Sequence, residues 1–448
     1  MLRLGTRKLL DRSFTSMGVI SIALLTAALL ILLAPMCVRG IGAYVFKGTV
    51  EFRRVLLEKF HRGDRDELQK EMAVTAAARQ PVFAALAAYQ KEFDALPVAQ
   101  RRKIKTDFEQ VRAAVKELLG PLPGEEVPLM MRGQYGQTRW DRAVVKQQKI
   151  LFYEDYDFSG GGLGTKALKP RVEKFRGTAL EPLFAYVEKN AEAMLAPQLT
   201  FYGRFLTDES HDAHFFGGIG PEALGTLYLT LGAILFAVPM GVIAAIYLVE
   251  YARENRLVRL LRICISTLAG VPSIVFGLFG LAFFINSIHL SPNKSVLVGS
   301  LTLGLLILPT IIRASEEALR AVPATYKQAA LSLGATQWHA IRTVILPAAL
   351  PGILTGVIIS MGRAAGETAP IIFTAAVSVG KPLTLWQTLS QPTPALPWNI
   401  YNLCSEHVAV DEIRHVQYGM VFSLVVLVLL LNLTAIIVRA KISKGLRT

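Results

Sequence analysis

The chain is short of cysteine, with three in 448 residues. Cys37 and Cys264 stand at the ends of apolar runs, and Cys404 lies between two others. No pair has the look of a disulfide framework, and no Cys or His set has metal-ligand spacing. The nearest approach is His211-Asp212-Ala213-His214. A metal needs close ligands at defined spacing, so these residues, with His61, read as solvated loop residues. A nucleotide-hydrolysing signature is missing as well. Ser159-Gly160-Gly161-Gly162-Leu163-Gly164 is rich in glycine, but Thr165 precedes Lys166. A phosphate loop requires Gly-Lys-Ser/Thr, so this is a plain loop. The chain therefore offers no catalytic residue and no metal site. A signal-cleavage site is lacking too. The first apolar run exceeds the roughly 7–15 residues of a signal core, and Pro35 and Cys37 do not form a small-x-small site.

What the chain has is hydrophobic length. Of its residues, 52% are hydrophobic, gathered into runs of about the 20 residues that span a bilayer. Six spans are expected, at about 17–38, 224–249, 265–288, 296–312, 353–379 and 420–438. The fold class is an all-α polytopic membrane protein. The net charge of +14 could point to nucleic acid, but its placement argues otherwise. With the N-terminus inside, the short inner segments hold Arg3, Arg7, Lys8 and Arg12, then Arg253, Arg256, Arg259 and Arg262. Further on they hold Arg313, Arg320, Lys327 and Arg342, then Arg439, Lys441, Lys444 and Arg447. The short outer segments hold Lys294, Lys381 and Arg414. That bias follows the positive-inside rule and sets both termini in the cytoplasm.

The expected organisation is a cytoplasmic N-terminus over 1–16, a first span over 17–40, an extracytoplasmic insert over 41–216 and a membrane domain over 217–448. The insert reads as mostly helical. Residues 51–119 are rich in Ala, Leu, Glu, Lys, Gln and Arg, with breaks at Gly63-Asp64 and Leu96-Pro97. Gly120-Pro121-Leu122-Pro123-Gly124 stops that stretch. Residues 134–158 read as β-like, and 169–196 as helical again.

Two stretches of the membrane domain carry chemistry. The first is Gly362-Arg363-Ala364-Ala365-Gly366-Glu367-Thr368, inside the fifth run. A charge at a helix centre costs about 2.5–3.5 kcal/mol on insertion scales. Positions i and i+4 share a helix face, so Arg363 and Glu367 are placed to pair. Gly362, Gly366 and the two alanines allow close approach by a helix or a substrate. The pair reads either as a structural lock or as a polar lining for a permeating anion, since guanidinium is the natural fork for a tetrahedral oxyanion. In the third run, Gly270-Val271-Pro272-Ser273 is either a packing kink or a break with free backbone amides, which puts Ser273 on the pathway list. Arg313 ends the fourth run, as a positive-inside anchor or as a residue that receives the ion on its exit.

The second stretch is the inner segment 316–347. It reads as a helix end at 315–319, a turn at Val322-Pro323, a helix over 326–333, a stop at Gly334 and a helix over 336–345. Gln328-Ala329-Ala330 presents small side chains to a partner, and Leu346-Pro347 leads back to the membrane. This pattern resembles the coupling loop of permease subunits of ATP-binding-cassette importers, whose signature is Glu-Ala-Ala, three residues, Gly, nine residues, Ile-x-Leu-Pro. Here it is Gln328-Ala329-Ala330, Gly334 and Val344-Ile345-Leu346-Pro347, with Gln328 in place of the acid and Val344 in place of isoleucine. From Gly217 onward the chain is similar to phosphate-importer permeases of the PstA type. That similarity is carried by Gly241-Val242-Ile243-Ala244-Ala245-Ile246-Tyr247-Leu248, Pro272-Ser273-Ile274-Val275-Phe276-Gly277-Leu278 and Arg363-Ala364-Ala365-Gly366-Glu367-Thr368-Ala369-Pro370.

The resemblance implies a six-span permease that pairs with a second, homologous permease. Two ATPase subunits would bind beneath it, holding the ATP and magnesium, and this chain would bind no cofactor. A phosphate-binding protein would dock outside. In that family the arginine matching Arg363 takes part in phosphate passage and the glutamate matching Glu367 accompanies it. The loop matching Gln328, Ala329, Ala330, Gly334, Leu346 and Pro347 docks on the ATPase. The competing expectations are a permease for another oxyanion such as sulfate or molybdate, an ion-driven secondary transporter, and a membrane scaffold whose insert is the working part.

Overall fold

The computed structural model describes residues 4–157 and 165–445. The glycine loop over 159–164 lies outside the described residues. The chain divides into two compact units. One comprises Met1–Ala43, Arg204–Ser210 and Gly217–Thr448; the other comprises Tyr44–Gly203 and His211–Phe216.

The chain opens with α1 (Leu4–Ile41) and then enters the insert. Strand β1 (Val45–Gly48) leads to α2 (Val50–Phe60), α3 (Arg65–Ala95) and α4 (Val98–Leu119). Asp64 caps α3 by accepting from the amides of Asp66 and Glu67, which satisfies two of its free donors. Pro97 ends the stretch between α3 and α4 because it removes a donor and disfavours helix before it. After α5 (Met131–Tyr135) comes α6 (Trp140–Leu151), where the sequence had read as β-like. Ala143, Lys146 and Ile150 are buried at helical spacing, so packing decides the helix over the weak local preference of its valines. The hairpin β2 (Phe152–Asp157) and β3 (Thr165–Pro170) follows, antiparallel, with Phe152 opposite Pro170. A short 3-10 turn (Arg171–Phe175) and α7 (Glu181–Leu195) replace the single helix expected there. Strand β4 (Gln198–Phe201) closes the insert by pairing antiparallel with β1. Its core is built from large side chains: Tyr89, Phe108, Val115, Leu118, Ile150, Phe175 and Phe184. The Tyr89 ring meets those of Phe108 and Phe175 edge-on, 4.8 Å and 5.5 Å between centroids.

In the membrane unit, α8 (Gly220–Ile246) ends in a wide turn, Tyr247–Tyr251, and is followed by α9 (Arg256–Leu268) and α10 (Ser273–Gly280). Next come α11 (Val296–Arg320), α12 (Ala324–Ser332), α13 (Gln337–Ala340) and α14 (Leu346–Gly366). The unit ends with α15 (Ala369–Thr374), α16 (Leu396–Ser405) and α17 (Arg414–Gly445). Among the described residues, five helices are long and apolar enough to cross a membrane, near Arg12–Ile41, Gly220–Tyr251, Val296–Arg320, Gln337–Gly366 and Arg414–Lys444. The sixth candidate, Arg256–Leu268 with Ser273–Ser287, is bent by 102°.

That bend revises the third expected span. Pro272 supplies no amide, and the amides of Gly270 and Val271 turn back to the carbonyls of Thr267 and Leu268. The fifth expected span is revised in the same way. α14 stops at Gly366, and Glu367 is already extended (φ −78°, ψ 123°). Pro370 enforces the stop, since in a continuous helix its ring would strike the Gly366 carbonyl. The core of this unit joins Leu229, Ala233 and Ala237 of α8 to Leu303, Leu306, Ile307 and Ile311 of α11, with Phe276, Ala364 and Ile371. α14 reaches α11 through small residues. A Cβ on Gly356 would stand 2.3 Å from Ala314 Cβ.

Candidate functional site

Arg363 lies in the last turn of α14, not at a helix centre. Its Nε stands 3.3 Å from Oε1 of Glu367, with 42% of the arginine side chain and 20% of the glutamate side chain exposed. The pair therefore bridges the end of α14 and the break that follows. Only the Nε edge of the guanidinium is engaged, and both terminal nitrogens are without a protein acceptor among the described residues. Ala364 and Ala365 are buried, which turns the arginine to the open side of the helix. Gly362 and Gly366 do not serve close packing within the chain. A Cβ on Gly366 would meet nothing within 4 Å, and one on Gly362 would make ordinary contacts with Asn432 and Val428. The close approach occurs instead at Gly356, about two turns or 10 Å earlier along the axis.

Thr368 is half-buried in the break, and its carbonyl accepts from the Ile371 amide, opening α15. Ser273 begins α10 directly after the bend. α10 and α15 touch at the backbone, where a Cβ on Gly277 would lie 2.9 Å from Pro370 Cα. The two interrupted stretches of the sequence are thus packed side by side, with Phe276, Ala364 and Ile371 in one cluster. Arg313 stands apart from them. It is exposed on α11 beside Ala314, at the level of Gly356 and so about 10 Å from the level of Arg363 along α14. It lines a cleft of about 280 Å³ with Arg262, Ile265, Glu316, Glu317 and Arg320. Arg262 is held there by Glu254 at 2.6 Å and by the Leu248 carbonyl at 3.0 Å.

Residues 324–347 form the inner segment. α12 carries Gln328, Ala329 and Ala330 and has no buried residue. Leu333 beside it is 90% exposed. Gly334 takes a left-handed φ of 86°, which makes the turn between α12 and α13. Nothing crowds it, so conformation and not space calls for glycine. Leu346 is half-buried against the cluster of Ala245, Ile246, Leu319, Ile345 and Ala349, and Pro347 follows a wide helical turn, Ile341–Ile345, that runs on into α14.

Three residues with clear structural weight carried no strong signal in the sequence. Arg262 counts there only toward the inner charge, Glu250 stands at the inner edge of the second run, and Glu222 precedes that run and is not singled out. Glu222 is buried in the first turn of α8, and Asn399 Nδ2 donates to its Oε1 at 3.2 Å. An acid just before an apolar run was the available clue. His214, expected to be solvated, is buried, and Asp212, Ala213 and His214 all take left-handed φ.

Residues 237–448 match the family described as binding-protein-dependent transport system inner membrane component. The chain is 33% identical over 262 residues to the probable ABC transporter permease protein YqgI of Bacillus subtilis, covering 56% of this chain and 86% of that one. The chain belongs to this family of transporter permeases. It is also similar to the phosphate transport system permease protein PstA of Yersinia pestis, at 34% identity over 226 residues, 50% of this chain and 73% of that one. Among solved structures, the inward-facing MetNI methionine ABC transporter aligns over 49% of this chain and 94% of that chain, at 18% identity and a TM-score of 0.40. The family match begins at 237, so the insert lies outside it. The permease is thus a multi-pass membrane protein, and the family match lies wholly within its membrane unit.

Proposed function

We propose that this permease carries phosphate, as half of the pathway of an ATP-driven importer in a bacterial inner membrane. The observation that carries the proposal is the half-open fork of Arg363. One edge is held by Glu367, and both terminal nitrogens are left for a bidentate oxyanion. The PstA relatives supply the choice of phosphate among the oxyanions. A second permease would complete the pathway, two ATPase subunits would bind ATP and magnesium, and an extracytoplasmic binding protein would deliver the ion. Both termini would be cytoplasmic, following the charge bias.

The mechanism follows from the cost of charge away from water. Moving a dianion into the membrane is prohibitive unless a cation receives it. Arg363 serves as that cation, and Glu367 holds it while the site is empty. When phosphate arrives, one ion pair is exchanged for another, so no charge is stranded. Thr368 and Ser273, at the two neighbouring breaks, offer hydroxyls to the ion. Arg313, about 10 Å further along, offers the next cation. On the cytoplasmic side Gln328, Ala329, Ala330 and Gly334 would meet the ATPase, and Leu346-Pro347 would carry its movement into α14.

The test is uptake of labelled phosphate by cells whose only importer contains this chain, with sulfate and molybdate as competitors. Phosphate uptake that neither competitor reduces supports the proposal. Uptake of sulfate or molybdate in its place would assign the permease to another oxyanion.

A further inference from the structure

The turn that ends α8 is tied to the segment expected to meet the ATPase. Lys327 Nζ of α12 stands 2.5 Å from Oε2 of Glu250. Gln337 of α13 donates from Nε2 to the Glu250 carbonyl at 2.7 Å. One residue therefore holds both arms of the hairpin that turns at Gly334. The Glu250 side chain is only 8% exposed and that of Lys327 is 34% exposed. α12 buries no residue of its own, while Ile341 and Ile345, after α13, pack in one cluster with Ala245 and Ile246 of α8, so the Lys327 ion pair ties the exposed arm of the hairpin to the turn after α8.

We infer that Glu250 is the positioning residue that couples the inner hairpin to the membrane helices. The inference rests on the proposed role of a partner ATPase. An apolar contact slides and shears, whereas a directed ion pair with a second bond to the same backbone transmits both push and pull. The connection continues beyond Glu250. The carbonyl of Leu248 and the carboxylate of Glu254, two residues before it and four after, both bind Arg262. Arg262 lies on α9, which leads through the 102° bend into α10. A hairpin pushed by the ATPase thereby moves the end of α8 and the start of α9 together. A bistable packed element of this kind is how small shifts become helix movements.

The test compares Lys327→Gln, Glu250→Gln and the charge exchange Glu250→Lys with Lys327→Glu in the assembled importer. Lys327 is a third exposed on a helix with no buried residue, so its replacement leaves the fold intact. Phosphate uptake per ATP hydrolysed is read alongside co-purification of the ATPase. Both single variants should lower uptake per ATP by roughly five- to tenfold, the range of a coupling energy between sites. The ATPase should remain bound, and the charge exchange should restore the ratio to within about twofold of the original. Unchanged ratios in both single variants would overturn the inference, as would an exchange that assembles and restores nothing. If the unmodified importer takes up no phosphate, the phosphate proposal fails. The inference is then judged on ATP hydrolysis alone: its stimulation by the loaded binding protein should fall in both single variants and return in the exchange, and stimulation that does not change would overturn it.

Discussion

The insert and the membrane unit are both helical, yet they hold together in opposite ways. The insert closes over rings and long aliphatic chains, with Phe175 fully buried against Tyr89 and Phe184. Several of its charges are paired, as in Arg79 with Glu51 at 2.9 Å and Lys174 with Asp107 at 2.8 Å. The membrane unit mixes alanines with Leu303, Leu306, Ile307 and Ile311 in its core, brings α14 onto α11 at Gly352 and Gly356, and leaves large apolar chains such as Leu235 and Ile243 outside. Water explains the first pattern, since burying apolar surface is what drives it. Lipid is as apolar as leucine, so helices in it associate through close packing and not through burial. The charge pairs differ in place as well: those cited in the insert join its helices, whereas the pair at Arg363 sits where α14 stops.

Phe175→Ala is the largest test of that contrast. It should cost about 3–5 kcal/mol, and exchange protection should be lost over α3, α4 and α7 while α8 and α11 keep theirs. Loss across both units would show that they are not energetically distinct. Gly356→Val is the reciprocal test. The added Cβ would lie 2.3 Å from Ala314 Cβ, and overpacking of this kind costs about 1–3 kcal/mol. Protection should fall along α11 and α14 and remain in the insert.

A smaller effect is expected from Glu125, which accepts from Lys116 at 2.9 Å and Arg112 at 2.6 Å. The Lys116 bond, ahead of that from Arg112, holds its carboxyl below the usual range. A lowered folded value means that its stabilisation is present above the unfolded carboxylate pKa and is lost as pH falls through the folded one. Glu51 works the other way, because burial raises its carboxyl while Arg79 draws it back. Its contribution is therefore lost as pH rises through the folded value. Glu125→Gln should flatten the loss of α4 protection on acidification, measured after correction for intrinsic exchange. An unaltered acid slope would mean that other carboxylates dominate there.

Much of the membrane unit was legible from hydrophobic length, because it reports directly on the bilayer. The inner hairpin was legible because Gly334 and Pro347 punctuate it. The kink or break at Gly270–Ser273 was visible in the third run, though not its 102° angle. What periodicity missed was the interruption of residues 353–379, where Pro370 breaks the run because its ring needs a clear carbonyl. Ser273, Arg363, Glu367 and Thr368 lie at those breaks. Arg363 and Glu367 were visible as a pair, but their place at a helix end was not. Glu250 was missed because its partners are far away in sequence: Lys327 and Gln337 converge on it only when the chain folds back. The helix over 140–151 was missed for a related reason, since its apolar face becomes clear only against the core that buries Ile150.

The central claim is that Arg363 receives the transported anion. It is tested most directly by labelled-phosphate uptake in cells carrying Arg363→Gln, with assembly checked by co-purification of the ATPase. Uptake should fall at least about tenfold with assembly intact, since glutamine stays polar but lacks the guanidinium fork and the charge that offsets a buried anion. Normal uptake would contradict the claim and reduce the Arg363–Glu367 pair to a lock between α14 and the break that follows it.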